Sequence, residues 1–336
     1  MLSHKFLTLW ALLLGLSLLL AGPAAAATTL TYSNFFPPTH AQSKLAQAWC
    51  DEVTKATGGA VKLQYFPGQT LTKANQSYDG VLNGISDMAM GCFAYTRGRF
   101  PVMEAMDLPL GYQDGSQATQ AVNRFFECMD PKELKGVKVM YLHAHGPGLL
   151  FTRARPVAKL ADLKGLKIRA TGTSALTVKA LGGTPVAMAM PESYQALSRG
   201  VVDGSIYPME ANKGWRLAEV NNYGTLCDAV GYTTTFFVVM NRDRWNALPP
   251  EVKKAIQQVN QRWITRTGKA WDQADQAGKK FFLAQKGRKL IPLDAAEAAK
   301  WKKAVEPVFQ TYVDQVSKRG LDGKAILQAA QQEAAK

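Results

Sequence analysis

The sequence predicts an α/β protein that folds as two lobes. Short apolar runs alternate with helical patterns over residues 162–208, and this alternation is typical of a parallel sheet covered by helices. Residues 28–336 are long enough for two domains, and a hydrophobic content of 47% supplies core residues for both. Gly146–Pro147–Gly148 separates two predicted strands, so we expect the hinge between the lobes there.

The N-terminal residues are typical of a secretory signal peptide. A basic start precedes an apolar run, residues 7–22, and a small-residue cleavage pattern follows at Ala25–Ala27. A membrane anchor is less favoured, because the apolar core is shorter than the ~20 residues that a span needs. We therefore expect residues 1–27 to be removed, the mature chain to begin near Thr28, and the protein to be exported.

The first half of the mature chain is predicted to form a strand–helix–strand–helix–strand unit. Its first helix has Thr39 as the predicted N-cap and ends at Gly58–Gly59, because threonine favours helix starts and glycine favours helix ends. In order, the predicted segments are strand 29–36, helix 40–59, strand 61–67, helix 72–84 and strand 85–95.

The second half contains one unusually long predicted helix. From Pro250 to about Lys286 nothing ends a helix strongly, and such a helix is ~55 Å long, more than one domain's diameter. A coiled coil is the competing interpretation, but apolar a and d positions are not sustained. The other predicted segments are strands 138–146, 148–154, 229–241 and 289–293 and helices 294–320 and 322–336.

Composition and motifs argue against catalysis and nucleic-acid binding. The net charge of +14 and the pI near 9.6 come from dispersed basic residues without a run of five or more, and export separates the protein from nucleic acid. The chain lacks the G-x-S-x-G, H-E-x-x-H, P-loop and dinucleotide-binding patterns. We therefore predict no enzyme activity, no cofactor and no nucleic-acid partner, and we expect a monomer.

The histidines and cysteines show no metal-binding pattern. His143 and His145 alternate on a predicted strand and share a face, but no third ligand is evident, so we favour a structural role and predict no metal site. The cysteines are separated by 42, 36 and 99 residues, which matches no zinc pattern. Free thiols and one disulfide bridge remain equal alternatives for Cys50, Cys92, Cys128 and Cys227.

Arg169 is the residue with the clearest predicted chemistry. It lies where a predicted strand ends, and ligands of parallel α/β sheets bind outside the carboxyl ends of strands. A guanidinium there is suited to hold a carboxylate through two parallel hydrogen bonds. The stretch 162–208, which begins DLKGLKIRATG, resembles the signature region of the solute-binding proteins of TRAP transporters, the DctP-type family. In that family the arginine after LKGLK holds the substrate carboxylate, which implies this role for Arg169.

The resemblance covers essentially the whole mature chain. It implies a periplasmic receptor with the two-lobe periplasmic-binding-protein fold, which has a hinge, a cleft between the lobes and a long helix spanning both. On this basis one lobe comprises residues 28–146 and about 235–272, and the other comprises 147–234 and about 273–336. The implied partners are a small-molecule carboxylate and the small and large membrane subunits of a TRAP permease. A periplasmic ligand sensor for a membrane signalling kinase is the alternative.

Departures from the sialic-acid-binding branch of the family indicate the ligand class. Leu149 stands where that branch has a second arginine, and Met190 and Tyr207 replace an aromatic residue and an asparagine. Unpaired hydroxyls of a sugar acid would then cost ~1–3 kcal/mol each, so we expect a hydrophobic or aromatic monocarboxylate. A 2-oxo acid or C4-dicarboxylate is the alternative. The loop before the first helix faces the cleft in this family, and the complete predicted ligand site is Arg169, Tyr207, Met190, Leu149, Phe36, Phe93 and His40.

Overall fold

The first of two sheets combines four strands from the first 144 residues with one strand at residues 235–241. The computed structural model describes residues 27–336, so the predicted signal peptide lies outside the described range except for Ala27. The strands are β1 (Thr28–Asn34), β2 (Val61–Phe66), β3 (Met88–Cys92), β4 (Val137–Ala144) and β10 (Thr235–Asn241). Their order is β2-β1-β3-β10-β4. β1 is parallel to β2 and β3, whereas β10 runs antiparallel to β3 and β4.

The second sheet contains the stretch with the clearest sequence pattern. Its strands are β5 (Gly148–Thr152), β6 (Lys167–Ala170), β7 (Thr184–Ala187), β8 (Gly204–Pro208), β9 (Tyr223–Leu226) and β11 (Lys289–Pro292). They are arranged in the order β11-β9-β5-β8-β6-β7. β6 is parallel to β7 and β8, as the alternation of strands and helices predicts, whereas β5 is antiparallel to β8 and β9. We call the halves around the first and second sheets lobe I and lobe II.

Two helices of lobe I begin at side chains that accept backbone hydrogen bonds. The helices are α1 (Ala41–Ala56), α2 (Ser77–Leu82) and α3 (Gly115–Met129). His40 caps α1, because its Nδ1 accepts a hydrogen bond from the Gln42 N–H at 3.1 Å; the predicted N-cap, Thr39, lies one residue earlier. Asp114 caps α3 in the same way by accepting from the Gln117 N–H at 2.7 Å.

A single long helix contacts both lobes. The remaining helices are α4 (Ser174–Ala180), α5 (Met190–Ser198), α6 (Ala211–Gly214), α7 (Arg242–Asn246), α8 (Pro250–Ala284), α9 (Ala295–Ser317) and α10 (Gly323–Ala334). α8 packs against α1 and α3 of lobe I and against α6 of lobe II, and it ends two residues before the predicted Lys286. In the described part of the chain, no helix combines the length and apolarity needed to cross a membrane.

The C-terminal helix returns to lobe I. α10 packs against α3, where Arg124 Nε donates to Glu333 Oε2 at 2.9 Å. α9, in contrast, packs against α4 of lobe II. The last two helices thus lie on different lobes, and the predicted domain boundaries, which place all of residues 273–336 together, remain a prediction.

Two chain segments cross side by side between the lobes. Residues 145–147 connect β4 to β5, and residues 227–234 connect β9 to β10. The Gly148 N–H donates to the Tyr232 carbonyl at 2.9 Å, and a Cβ on Gly148 would lie 2.0 Å from the Tyr232 ring. Glycine is therefore required where the segments meet. Gly146–Pro147–Gly148 lies at the crossing where the sequence predicts the hinge.

The cysteines form no disulfide bridge. Cys50, Cys92 and Cys227 are buried and free, and Cys128 is exposed and free. Burial raises the pKa of the Cys227 thiol to about 12, so this thiol is protonated near neutral pH. Of the two alternatives left open by the sequence, the structure shows free thiols.

Candidate ligand-binding site

Arg169 occupies the interior of the second sheet. It lies in β6, opposite Val186 of β7 and Ser205 of β8, and is only 2% exposed. Its Nε donates a hydrogen bond to the Met188 carbonyl at 3.0 Å. Its Nη2 has no hydrogen-bond partner among residues 27–336. A buried guanidinium with a free donor is suited to bind an anion, because an unpaired buried charge is costly.

Arg169 lines a cavity between the two lobes. The space not filled by atoms, its solvent-open mouth included, is about 410 Å³. Lobe II, lobe I, the crossing segments and α8 all contribute side chains. They are Phe35, Phe36, Tyr95, His145, Arg169, Thr171, Ser174, Met190, Ile206, Pro208, Glu210, Trp215, Tyr232, Thr234, Phe236 and Trp271.

Aromatic rings form much of the cavity wall. Phe35 stacks on Phe36 with ring centroids 4.3 Å apart and lies nearly parallel to Trp215 at 6.2 Å. Phe236 stacks on Trp271 at 5.4 Å. Since Trp215 belongs to lobe II and the phenylalanines to lobe I, a planar ligand in the cavity would be enclosed by apolar faces from both lobes.

The lobes touch each other across the cleft. Thr171 Oγ1 of lobe II donates to the Ala94 carbonyl of lobe I at 3.1 Å, and the Tyr95 hydroxyl accepts from the Met190 N–H at 3.2 Å. A Cβ added to Gly172 would lie 2.7 Å from the Ala94 Cβ, closer than ordinary contact allows. The structure therefore describes a closed arrangement of the two lobes.

A histidine and two carboxyl groups meet beside the cavity. His40 Nε2 of lobe I lies 2.9 Å from Glu210 Oε2 of lobe II, and both side chains are almost completely buried. Because His40 Nδ1 accepts from a backbone N–H, the ring proton of the neutral imidazole lies on Nε2. The Glu210 N–H donates to Asp275 Oδ1 at 2.7 Å. Burial, and then the charge of Glu210, raises the pKa of Asp275 to about 8.

His143 and His145, at the C-terminal end of β4, are neutral near pH 7. Burial lowers the pKa of His143 to about 3 and that of His145 to about 4, and the positive charge of Arg169 also lowers the pKa of His145. His143 Nδ1 accepts a hydrogen bond from Trp271 Nε1 at 3.1 Å. Across residues 27–336 there is no group of three or more His, Cys, Asp or Glu residues that could hold a metal ion.

The structure brings part of the predicted site together. Arg169, Met190 and Phe36 line the cavity, and His40 lies behind Phe36 with ring centroids 4.4 Å apart. Phe93 does not reach the cavity. Its ring packs against two phenylalanines in the core of lobe I, on centroid distances of 4.8 and 5.1 Å.

Tyr207 and Leu149 also lie away from the cavity, which corrects the predicted apolar wall. Tyr207 is placed between Ile206 and Pro208 in β8, both of which line the cavity, and successive side chains of a strand point to opposite faces. Its ring stacks on Phe151 at 4.3 Å instead. Leu149 is directly opposite Tyr207 in β5 and therefore shares its face.

Thirteen of the sixteen residues that line the cavity are absent from the predicted site, and four of them are large or charged side chains from different parts of the chain. Glu210 and Trp215 follow β8, Tyr232 belongs to a crossing segment, and Trp271 lies in α8. No periodic pattern marks the first three, because they approach each other only through tertiary packing. For Trp271 a signal existed: a tryptophan within a helix predicted to bridge the lobes has one face directed at the cleft.

Two α/β lobes joined by two crossing segments and a long helix, with a buried arginine in the cleft, define a solute-binding protein of the periplasmic-binding-protein class. The model of the family described as bacterial extracellular solute-binding protein, family 7, matches residues 32–315. The chain belongs to this family, the DctP type of TRAP solute-binding proteins. Its members are periplasmic receptors for transport.

Two solved structures of relatives cover nearly all of this chain. A TRAP solute-binding protein from Rhodoferax ferrireducens T118, solved with copurified benzoate, is 30% identical with a TM-score of 0.87, covering 92% of this chain and 98% of that one. One from Bordetella bronchiseptica, solved with (R)- and (S)-mandelate, is 31% identical with a TM-score of 0.84, covering 92% and 99%. The 2,3-diketo-L-gulonate-binding periplasmic protein YiaO of Escherichia coli K12 is 29% identical, covering 71% and 76%.

Proposed function

We propose that this receptor captures an aromatic or hydrophobic monocarboxylate in the cleft and delivers it to the membrane subunits of a TRAP permease. Arg169 holds the carboxylate, and the aromatic wall encloses the rest of the ligand. The observation that carries the proposal is the free Nη2 of a buried arginine inside an aromatic cavity. A carboxylate is the ligand group that pairs best with such a donor.

The aromatic wall favours a ring over a polyol. Burial of a phenyl ring, ~150–250 Å² of area at ~25 cal/mol per Å², contributes several kcal/mol to binding. A sugar acid would bring hydroxyls to the faces of Phe35, Phe36, Trp215 and Phe236, which offer few hydrogen-bond partners. The relatives solved with benzoate and mandelate support an aromatic acid, whereas the diketogulonate-binding relative shows that the family also accepts polar acids.

A dicarboxylate fits the cavity less well. Arg169 is the one lysine or arginine among the described residues that line it, and Glu210 adds a carboxylate to the same wall. A second ligand carboxylate would therefore lack a cation and meet a group of like charge, which is unfavourable in a buried site. This arrangement supports a monocarboxylate over the C4-dicarboxylate alternative.

A thermal-shift panel tests the ligand class. Ligand binding raises the melting temperature by mass action on the native state. Benzoate and indole-3-acetate should give larger shifts than sialic acid, glucuronate and succinate at equal concentration. Benzamide, which has the ring of benzoate without its charge, should give little shift, because Arg169 loses its charged partner. The largest shift from a uronic acid or from sialic acid would contradict the proposed ligand class.

Delivery needs a separate measurement. Proteoliposomes that contain the membrane subunits should accumulate labelled benzoate only when this receptor is added outside. Uptake that is independent of the receptor would contradict delivery and leave ligand capture untouched.

A further inference from the structure

Glu210 is a buried carboxylate in the wall of the ligand cavity. It follows β8 and directly precedes α6, and the residue is 3% exposed. Its side chain lines the same cavity as Arg169. A cationic donor and an anionic acceptor therefore border the same cavity.

The protein donates few hydrogen bonds to the carboxylate oxygens of Glu210. The nearest donor is His40 Nε2, 2.9 Å from Glu210 Oε2, but the contact does not have the alignment of a ring N–H hydrogen bond. In the described part of the chain, no backbone or side-chain group makes a well-aligned hydrogen bond to Oε1 or Oε2. A carboxylate that borders the cavity without a well-aligned protein donor can accept a hydrogen bond from a ligand there.

The protein side of Glu210 has no room for another donor. A Cβ on Gly214 would lie 2.5 Å from Glu210 Oε2 and 2.6 Å from His40 Nε2. A Cβ on Gly278 of α8 would lie 2.7 Å from Glu210 Cα. Because glycine allows this close packing, Gly214 and His40 enclose the carboxylate at Oε2, while Glu210 also borders the cavity.

We propose that Glu210 is a specificity-determining residue that accepts a hydrogen bond from a neutral donor on the ligand. The preferred ligand is then an aromatic acid that carries a hydroxyl group, with its carboxylate on Arg169 and its hydroxyl on Glu210. This inference rests on the proposed function, since it concerns the same cavity and the same class of acid. A hydrogen bond to a charged acceptor corresponds to an affinity gain of ~10–100-fold.

Calorimetry with matched ligands tests this assignment. The probes are benzoate, 3-hydroxybenzoate, 4-hydroxybenzoate and mandelate, because the position of the hydroxyl relative to the carboxylate is the variable. At least one hydroxy acid should bind ~10–100-fold more tightly than its parent acid. The methoxy analogue of that ligand, which has an acceptor oxygen but no O–H, should lose this gain.

Two variants assign the gain to one side chain. Glu210→Gln weakens the acceptor without a change of shape, and the ratio of hydroxy-acid to parent-acid affinity should fall to less than about 3-fold. The control is Glu192→Gln, an exposed carboxylate of lobe II outside the cavity, in which the ratio should stay at the wild-type value.

The outcomes separate this inference from the proposed function. If benzoate and every hydroxy acid bind equally well, or if the methoxy analogue keeps the gain, Glu210 does not select the ligand while aromatic-acid capture stands. A gain that persists in Glu210→Gln also overturns the assignment. If no aromatic acid binds at all, the proposed function fails, and the inference fails with it.

Discussion

Arg169 carries the one cationic side chain that the described protein presents to the cavity. Its Nε is already engaged with the Met188 carbonyl, so the orientation of the guanidinium is held by the protein before a ligand arrives. A pre-oriented, planar donor group can bind both oxygens of a carboxylate, which a lysine ammonium cannot do with the same geometry.

Substitution of Arg169 should remove most of the binding energy. Arg169→Ala should weaken benzoate binding by ~2–5 kcal/mol, because a desolvated carboxylate is left unpaired. Arg169→Lys should recover little of this loss. Calorimetry measures both, and Arg199→Ala, an exposed arginine of the same lobe, is the control that should bind normally. Near-normal affinity of Arg169→Ala would falsify the proposed carboxylate site.

A second residue-scale prediction concerns Asp107. Its Oδ1 accepts from the Thr235 N–H at 2.8 Å, and burial raises its pKa to about 8. The folded protein therefore holds a proton between about pH 4 and 8 that the unfolded chain releases. The free energy of unfolding should consequently fall as the pH rises through this window. Asp275 and Glu133, whose pKa values burial raises to about 8 and about 7, act in the same direction.

The histidines restrict where this effect can be measured. His143 and His145 have lowered pKa values, so their contribution to stability is lost as the pH falls below about 6.5. Between pH 6.5 and 8, only the carboxyl groups with raised pKa values among these five change charge in the folded protein. In that range Asp107→Asn, which resembles the protonated acid, should show a smaller decrease in unfolding free energy than the wild type. Urea titrations at pH 6.5 and at pH 8 measure this decrease in each protein. Equal decreases in the wild type and in Asp107→Asn would contradict the raised pKa of Asp107.

At the scale of elements, the long helix α8 determines how the lobes are held. It lies against α1 and α3 on one side and against α6 on the other. Its approach to lobe II depends on Gly278, where a Cβ would lie 2.2 Å from the Met209 carbonyl oxygen. The glycine weakens the helix but permits the contact.

Gly278→Ala should therefore destabilise the protein although alanine is the better helix former. The gain in helix propensity is about 1 kcal/mol, whereas forced overpacking against backbone costs ~1–3 kcal/mol and comes with a lost contact between lobes. We expect a net decrease in the free energy of unfolding, measured by urea titration. Gln276→Ala, at an exposed position of α8 two residues away, should be neutral or slightly stabilising. An increase in stability for Gly278→Ala would contradict the packing argument.

Elements were more predictable than their assembly. The sequence predicted α8 to within two residues, because helix periodicity and the absence of strong breakers are local properties. It did not predict that β10 lies between β3 and β4, since this pairing joins segments more than 90 residues apart. Long-range pairing depends on packing that a local pattern does not encode.

The candidate site likewise contains residues that a local sequence pattern could place and residues that it could not. Arg169 could be placed near the cleft because a strand end in a parallel sheet has a defined location. Tyr207 could not be placed by its chemistry, since a shift of one residue along β8 moves a side chain to the other face. Glu210, Trp215 and Tyr232 come from connecting segments, whose paths depend on the packing of the whole protein.

At the scale of the whole molecule, the closed arrangement depends on small residues where the lobes touch. Gly172 has φ +49° and faces Ala94 of lobe I across the cleft. Any side chain at this position would separate the two surfaces. The two crossing segments and α8 connect the lobes elsewhere, so the lobes can part at this edge while each remains folded.

Gly172→Ala should hold the protein open. Small-angle X-ray scattering should show that saturating benzoate compacts the wild type but not this variant, and benzoate affinity should fall. Gly182→Ala is the matched control, because Gly182 also has a positive φ, +89°, but nothing lies within 4 Å of its added Cβ. That variant should carry a similar backbone strain and still close. Identical scattering of the wild type with and without bound ligand would argue against a two-lobe clamp.

The unpaired Nη2 of Arg169 has a consequence for how often the receptor closes without a ligand. Closure without a ligand buries a guanidinium whose Nη2 has no hydrogen-bond partner among the described residues. A cost of only about 3 kcal/mol would make closed, empty molecules more than ~100-fold rarer than they would otherwise be. A permease that recognises the closed shape would then rarely be occupied by a receptor with nothing to deliver. In the proposed transport function, the Arg169 guanidinium would thus bind the ligand and also reduce the binding of empty receptor to the permease.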